Sequence, residues 1–221
     1  MMSKIYAFGD IHGNALKLEL LVNKLDLDNN SKLIFLGDYI DRGNKSYEVI
    51  EYLIDLDKKY DCIFLKGNHE LMFIDYLEGK DEGLFLDNGG TKTLKSYFKH
   101  GYNIGRNLNY LDRKMPRSHV NFLRNLKNFY ETEDYIFVHA GIKPGVPLEE
   151  LSEMFLLWDR YFHYYCVDYK GKTVVFGHTP CKNVLNEENK ICIDTGACYD
   201  YMGMGALTCV KLPEREFIQQ K

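Results

Sequence analysis

The residues best suited to chemistry in this chain are scattered, yet each stands at an equivalent place. Ile5-Tyr6-Ala7-Phe8 leads into Gly9-Asp10-Ile11-His12, and Leu33-Ile34-Phe35-Leu36 into Gly37-Asp38. Cys62-Ile63-Phe64-Leu65 leads through Lys66 to Gly67-Asn68-His69, Tyr135-Ile136-Phe137-Val138 to His139, and Thr173-Val174-Val175-Phe176 to Gly177-His178. A sixth run, Lys190 to Ile193, ends at Asp194-Thr195-Gly196. A single Asp or His after an apolar run is ordinarily a turn residue or a satisfied polar group. The same slot filled in separate units, by four of the chain's seven histidines, is not explained that way.

Asp10, His12, Asp38, Asn68, His139 and His178 form a nitrogen–oxygen donor set without cysteine. Such a set suits manganese, iron or zinc better than calcium or magnesium, which take more oxygen. Six ligands exceed the four of a structural zinc site, and a carboxylate bridging two ions accommodates the surplus. Two divalent ions about 3.5–4 Å apart lower the pKa of a shared water to about 7, which supplies a nucleophile without Ser or Cys. Arg42, in Gly37-Asp38-Tyr39-Ile40-Asp41-Arg42-Gly43, offers a planar fork for phosphate oxygens. His69 is placed to protonate a leaving alkoxide, with Asp41 holding its imidazole. Arg160, after Leu156-Leu157-Trp158-Asp159, is either a second phosphate clamp or a surface arginine in a helix-end salt bridge.

These side chains converge only if the elements carrying them share an edge. Four-residue runs of β-branched and aromatic residues read as strands buried on both faces. Helical patterns lie between the early ones: Ala15 to Leu25, with Leu16, Leu20, Leu21 and Leu25 on one stripe, and a helix capped by Ser46 and followed by Val49, Ile50, Leu53, Ile54 and Asp57. The alternation is βαβ layering of an α/β fold with right-handed crossovers. Loops at the strand carboxyl ends then form one crevice.

The 221 residues, 45% hydrophobic and 27% charged, suit one folded domain rather than a disordered chain. No run approaches the apolar length of a membrane span or signal-peptide core, so the expectation is a cytoplasmic protein with no membrane partner and its six cysteines as free thiols. The net charge of −4 argues against nucleic acid as a partner. It hides an asymmetry: nine Lys or Arg against Asp112 alone make residues 92–127 +8, leaving the rest at −4 − 8 = −12. This basic stretch belongs to an expected helical insert at about 79–130. It either steers anionic substrate or forms a solvated helical face. Tyr161, Phe162, Tyr164, Tyr165 and Tyr169 crowd near Arg160 and read first as packing residues, otherwise as a stacking surface for a ring.

Taken in order, Gly9-Asp10-Ile11-His12-Gly13, Gly37-Asp38-Tyr39-Ile40-Asp41-Arg42-Gly43, Gly67-Asn68-His69-Glu70, His139-Ala140-Gly141 and Gly177-His178-Thr179 resemble the phosphoprotein phosphatase family of calcineurin-like metallophosphoesterases. Asp194-Thr195-Gly196-Ala197 also looks like that family. The resemblance implies a four-layer αββα sandwich with two divalent ions, manganese, iron or zinc, on one rim. Asp10, His12 and Asp38 would bind the first metal, Asp38 would bridge, and Asn68, His139 and His178 would bind the second. His69 would be the general acid, with Asp41 as its partner and Arg42 and Arg160 as clamps. Lys66 stands where the protein-phosphatase branch commonly has Arg, and loses the bidentate fork. The implied substrates are phosphorylated proteins or peptides, on serine or threonine and conceivably tyrosine. Small phosphate esters and dinucleoside polyphosphates, the latter cleaved as by the symmetrical dinucleoside tetraphosphate hydrolases, are the alternative. Glu70 favours the phosphatases, since the hydrolase branch usually has Asp there. A non-catalytic metal-binding module would predict a lost ligand or a lost acid, and the sequence has neither.

Overall fold

The computed structural model describes residues 4–104, 114–164, 169–199, 201 and 203–221. Its apolar runs are strands. β1 (Ile5–Phe8), β2 (Lys32–Phe35) and β3 (Asp61–Phe64) are parallel neighbours. The helices α1 (Ala15–Val22) and α2 (Ser46–Asp57) lie between them in sequence. The chain later returns to this sheet: β9 (Leu207–Leu212) pairs antiparallel with β1, and β10 (Glu216–Gln220) with β9. The second sheet is built on β5 (Tyr135–Val138), β6 (Thr173–Phe176) and β8 (Lys190–Cys192), all parallel. Its edges are β4 (Phe129–Glu131) and β7 (Leu185–Asn186), both antiparallel to their neighbours. The two five-stranded orders are β10-β9-β1-β2-β3 and β4-β5-β6-β8-β7.

Side-chain alternation sorts these strands into layers. Ala7, Ile34 and Val210 of the first sheet meet Phe137, Val175 and Ile191 of the second in one apolar cluster. Tyr6, Phe8, Leu33 and Phe35 point the other way, onto α1 and α2. Ile136, Val138, Val174 and Phe176 face Leu156 and Leu157 of α7 (Glu153–Trp158). Helix, sheet, sheet, helix is the expected four-layer sandwich, and it explains why the strands are apolar on both faces.

Two local expectations need correction. In α1 the buried residues are Leu18, Leu21 and Val22, whereas Leu16 and Leu20 are 59% and 40% exposed. The true stripe runs 18, 21, 22 and 25, three and four residues apart, with Leu25 packed just past the helix end. Ser46 does not cap α2: Lys45 occupies the cap, and the buried Ser46 hydroxyl accepts a hydrogen bond from the Asp41 N–H at 3.2 Å. Ile54 lies only at the margin of the core, and Leu56 is buried instead.

Between Asn68 and β4 the described residues carry several short helices. α3 (Asn68–Leu77) and α4 (Glu82–Phe85) are followed by a wide helical turn, Leu86–Gly90, then α5 (Thr91–Lys99) and α6 (Arg117–Arg124). Lys95, Lys99, Arg117 and Arg124 lie on the exposed surface, while Arg106 and Arg113 lie outside the described residues. Among the described residues, no helix is long and apolar enough to cross a membrane.

Candidate metal centre

The carboxyl ends of β1, β2, β3, β5 and β6 deliver their polar residues to one place. Asp10, His12, Asp38, Asn68, His139 and His178 are all buried, each no more than 5% exposed. The turns that place them are tight. His12, Asp38, Asp41, Arg42 and His178 all have positive φ, between 46° and 68°, which is costly for residues bearing a Cβ. Gly37 (φ 107°) allows the close approach: a Cβ there would sit 2.6 Å from the Gly67 nitrogen. Glu70 fastens the corner from α3. Its carboxylate accepts the N–H groups of Asp38 (2.9 Å), Tyr39 (2.8 Å), Ile40 (3.3 Å) and Gly67 (3.0 Å).

Asp38 is the centre of the cluster. One carboxylate oxygen lies 3.4 Å from His12 Nε2 and 3.9 Å from His69 Nε2; the other lies 3.4 Å from His139 Nε2. Two groups of potential ligand atoms result, one of His12, Asp38 and His69, the other of Asp38, His139 and His178. Asn68 Oδ1 joins the second, 3.1 Å from His139 Nε2 and 3.0 Å from His178 Nδ1. Asp10 stands slightly apart from the first group. Its carboxylate accepts the His178 N–H at 3.2 Å and shares a hydrogen bond with Asp194.

The donors fit cations. The Nδ1–H of His12 is given to Ile40 O and that of His139 to Leu36 O, both at 2.9 Å. Each ring therefore turns its Nε2 lone pair inward: that of His139 meets carboxylate and amide oxygens that are also acceptors, and that of His12 lies beside the Asp38 carboxylate. Backbone carbonyls fixing a ring in this way is how metal-binding histidines are oriented. Lone pairs facing lone pairs repel unless a cation lies among them. Arg42 already supplies one positive group: its Nη1 donates to His12 Nε2 at 3.0 Å and to the Tyr199 hydroxyl at 2.9 Å.

The pKa shifts point the same way. Burial holds the His12 and His139 imidazoles below their ordinary value and brings His178 down to about 3. Burial, helped by Asp194 and Asp38, pushes Asp10 well up. Burial also raises Asp194 to about 6. Burial would raise Asp38, but the histidines around it, His139 and His69 foremost, favour its ionised form more, and its carboxyl is depressed. Three carboxyl groups are buried together here, and to be ionised at the same time they need positive charge from elsewhere.

His69 differs from its neighbours. Its Nδ1 donates to Asp41 Oδ2 at 2.7 Å, and its Nε2 is buried without a hydrogen-bond partner. Burial lowers its pKa, but Asp38 and Asp41 overcome that, and the net shift is upward. Its surroundings favour the protonated ring, whereas those of His12, His139 and His178 disfavour it.

Two expected residues lie less centrally. Arg160 is exposed, in an apolar groove of about 250 Å³ lined by Met154, Phe155, Trp158, Asp159 and Tyr161. Its charge reaches His178 and helps depress it. Lys66 is committed to Glu153, at 2.7 Å. The crowded aromatics divide: Phe162 and Tyr169 are buried, Tyr161 and Tyr164 are 69% and 77% exposed, and Tyr165 lies outside the described residues. Tyr199 escaped the sequence reading. It has no motif beyond lying just after Asp194-Thr195-Gly196.

This geometry has counterparts. A family model described as calcineurin-like phosphoesterase matches residues 3–182. The chain belongs to that family. It is 25% identical over 249 residues to the bis(5'-nucleosyl)-tetraphosphatase PrpE [asymmetrical] of Oceanobacillus iheyensis, covering 97% of this chain and 91% of that one. It is 27% identical over 209 residues to serine/threonine-protein phosphatase 2 of Escherichia coli, covering 87% of each. The cold-active protein-tyrosine phosphatase of a psychrophilic Shewanella superposes with a TM-score of 0.65 at 18% identity, over 100% of this chain and 81% of that one, a likeness of fold. The chain is therefore a phosphoric ester hydrolase of a family that uses divalent metals, and its substrates are phosphoesters.

Proposed function

We propose that this metallophosphoesterase is a phosphomonoesterase of phosphorylated proteins, acting on phosphoserine and phosphothreonine. The observation that carries its chemistry is Asp38, whose two carboxylate oxygens face separate sets of inward-turned imidazoles. Asp10, His12 and Asp38 would hold one divalent cation, and Asp38, Asn68, His139 and His178 the other. When bound, the pair supplies charge neutralisation and a water acidic enough to ionise near neutral pH. The remaining work belongs to side chains. Arg42, held by Tyr199, presents its fork to the equatorial phosphate oxygens, and Arg160 approaches from the His178 side. As the P–O bond breaks, the His69 Nε2–H protonates the departing alkoxide, and Asp41 keeps the ring aligned and stabilises its charged form. Water adds to phosphorus, the alcohol leaves with the proton, and inorganic phosphate remains.

Two supports favour protein substrates: the E. coli relative named for that activity, and Glu70, the residue of the phosphatase branch. A second reading, hydrolysis of dinucleoside tetraphosphates, has its own support. The groove of Phe155, Trp158, Arg160 and Tyr161 offers aromatic faces beside His178, the Trp158 and His178 ring centroids being 6.4 Å apart. The sequence pointed to symmetrical cleavage, whereas the PrpE relative carries the asymmetrical name. Rates on a phosphoserine peptide and on diadenosine tetraphosphate, with manganese, test the choice. A kcat/KM at least tenfold higher on the peptide supports the phosphatase; the reverse order replaces it with the hydrolase.

A further inference from the structure

The corner that carries Asp41 and Arg42 is under strain, and the helical insert holds it. Both residues have positive φ, 68° and 60°, in succession and without glycine. Such a pair is costly for residues bearing a Cβ and persists only where its surroundings over-determine it. On one side the insert presents backbone alone: Gly89 (φ 100°) lies so close that a Cβ would fall 2.9 Å from the Arg42 nitrogen. On the other side it presents a hydroxyl. Thr93, in the first turn of α5, is fully buried. Its Oγ1 donates to Asp41 Oδ1 at 2.6 Å and accepts the Asp41 N–H at 2.9 Å. Ser46 Oγ lies 2.9 Å away and can donate to its second lone pair. With one proton given and two lone pairs filled, the threonine hydroxyl is saturated, and its orientation is fixed.

We infer that Thr93 is a positioning residue for the reaction, the third member of a Thr93–Asp41–His69 chain that fixes the imidazole which protonates the leaving group. Asp41 has two carboxylate oxygens and two neighbours: Oδ2 takes the His69 Nδ1–H, Oδ1 takes the Thr93 hydroxyl. Rotation of the carboxylate would break both bonds at once, so the threonine locks the angle at which Asp41 meets His69. The insert thereby reaches the chemistry without touching substrate. The inference rests on the reading of His69 as general acid, and it goes beyond the family motifs because Thr93 lies outside all of them.

The distinguishing readout is dependence on the leaving group. Protonation matters most when the departing oxygen is basic, so a phosphoserine peptide needs His69 more than p-nitrophenyl phosphate does. Thr93→Val removes the hydroxyl at nearly constant volume. It should lower kcat on the peptide roughly 10–100-fold, as loss of a residue supporting a site ligand typically does. It should cost several-fold less on p-nitrophenyl phosphate, with KM little changed on both. Thr93→Ser, which restores the hydroxyl, should recover most of the peptide rate. If the valine variant does not fold, Thr93→Cys, similar in size with a weak donor, should show the same selective loss. Ser96→Ala supplies the control. Ser96 is a buried hydroxyl one turn further along α5, bonded to Tyr47 N and Glu48, and its loss should leave the ratio of the two rates unchanged. Equal losses on both substrates, or a Thr93→Ser variant as impaired as Thr93→Val, would overturn the inference. Should His69→Asn itself slow both substrates by one factor, the general-acid reading fails; should only His69→Asn be selective, Thr93 alone is misassigned.

Discussion

Two buried histidine regions of this molecule look alike in burial and charge and differ in what their nitrogens meet. In the helical layer, His119 on α6 is fully buried, with Nδ1 2.7 Å from the Tyr97 hydroxyl and Nε2 2.6 Å from Glu51. Both nitrogens are satisfied. On the rim, His69 and His178 each keep a buried Nε2 without a hydrogen-bond partner, His139 aims its own at oxygens of Asp38 and Asn68, and His12 turns its Nε2 toward Asp38 with the Arg42 guanidinium donating to it. Burial depresses the pKa in both regions, so an unusual pKa does not by itself mark a site. What separates structure from chemistry here is convergence of lone pairs on a common space.

That contrast can be broken most sharply at the rim. Chelation should abolish turnover of p-nitrophenyl phosphate, and added manganese should restore it; activity that survives chelation would remove the distinction between the regions. Next in size, His69→Asn should lose about 10²–10⁴-fold in kcat on a phosphopeptide while binding manganese as before. Loss of metal together with rate would move His69 into the ligand set, where its 3.9 Å approach to Asp38 leaves room for it.

The helical region should respond in stability instead. His119→Phe strands the Tyr97 hydroxyl in the core, at a cost of about 1–3 kcal/mol in urea unfolding, with kcat unchanged. Its pH dependence follows from sign. The fold lowers the His119 pKa below 6.5, through burial that outweighs the pull of Glu51. The unfolded chain therefore binds the proton first, and the stabilisation is complete above pH 6.5 and drains away as pH falls below it. The gap between wild type and His119→Phe should narrow from pH 7.5 to pH 5.5; a gap that widens would mean that His119 is charged in the fold.

The smallest effect belongs to the basic surface. Lys95 and Lys99 are exposed on α5. Reversing both to Glu should raise KM a few-fold at low salt and leave it unchanged at high salt. An unchanged KM at low salt leaves this face as solvated helix and nothing more.

Much of this was readable in the sequence because the strands announce themselves. A run such as Tyr135-Ile136-Phe137-Val138, apolar on both faces, has few other homes, and the residue after it must emerge at the sheet edge. The positions of His139 and His178 follow from that alone. Where burial depended on rotation about a helix, the residues misled: Leu16 and Leu20 fit a stripe as well as Leu18 and Val22 do, and only packing chooses. Ser46 has the chemistry of a cap, but the strained corner at Asp41 claims its hydroxyl. The same logic hid Thr93, an ordinary helical threonine 52 residues from its partner. The return of the chain as β9 and β10 carries no local signal of its destination beside β1 either, since antiparallel pairing there is decided by the sheet edge left open.

The central claim is that Asp38 is shared between two cation sites, and metal content measures it directly. Protein equilibrated with manganese, desalted and assayed by elemental analysis should carry two ions per chain, and Asp38→Asn should lose both while staying folded by circular dichroism. One ion or none in the wild type, or two ions still bound in Asp38→Asn, would contradict it.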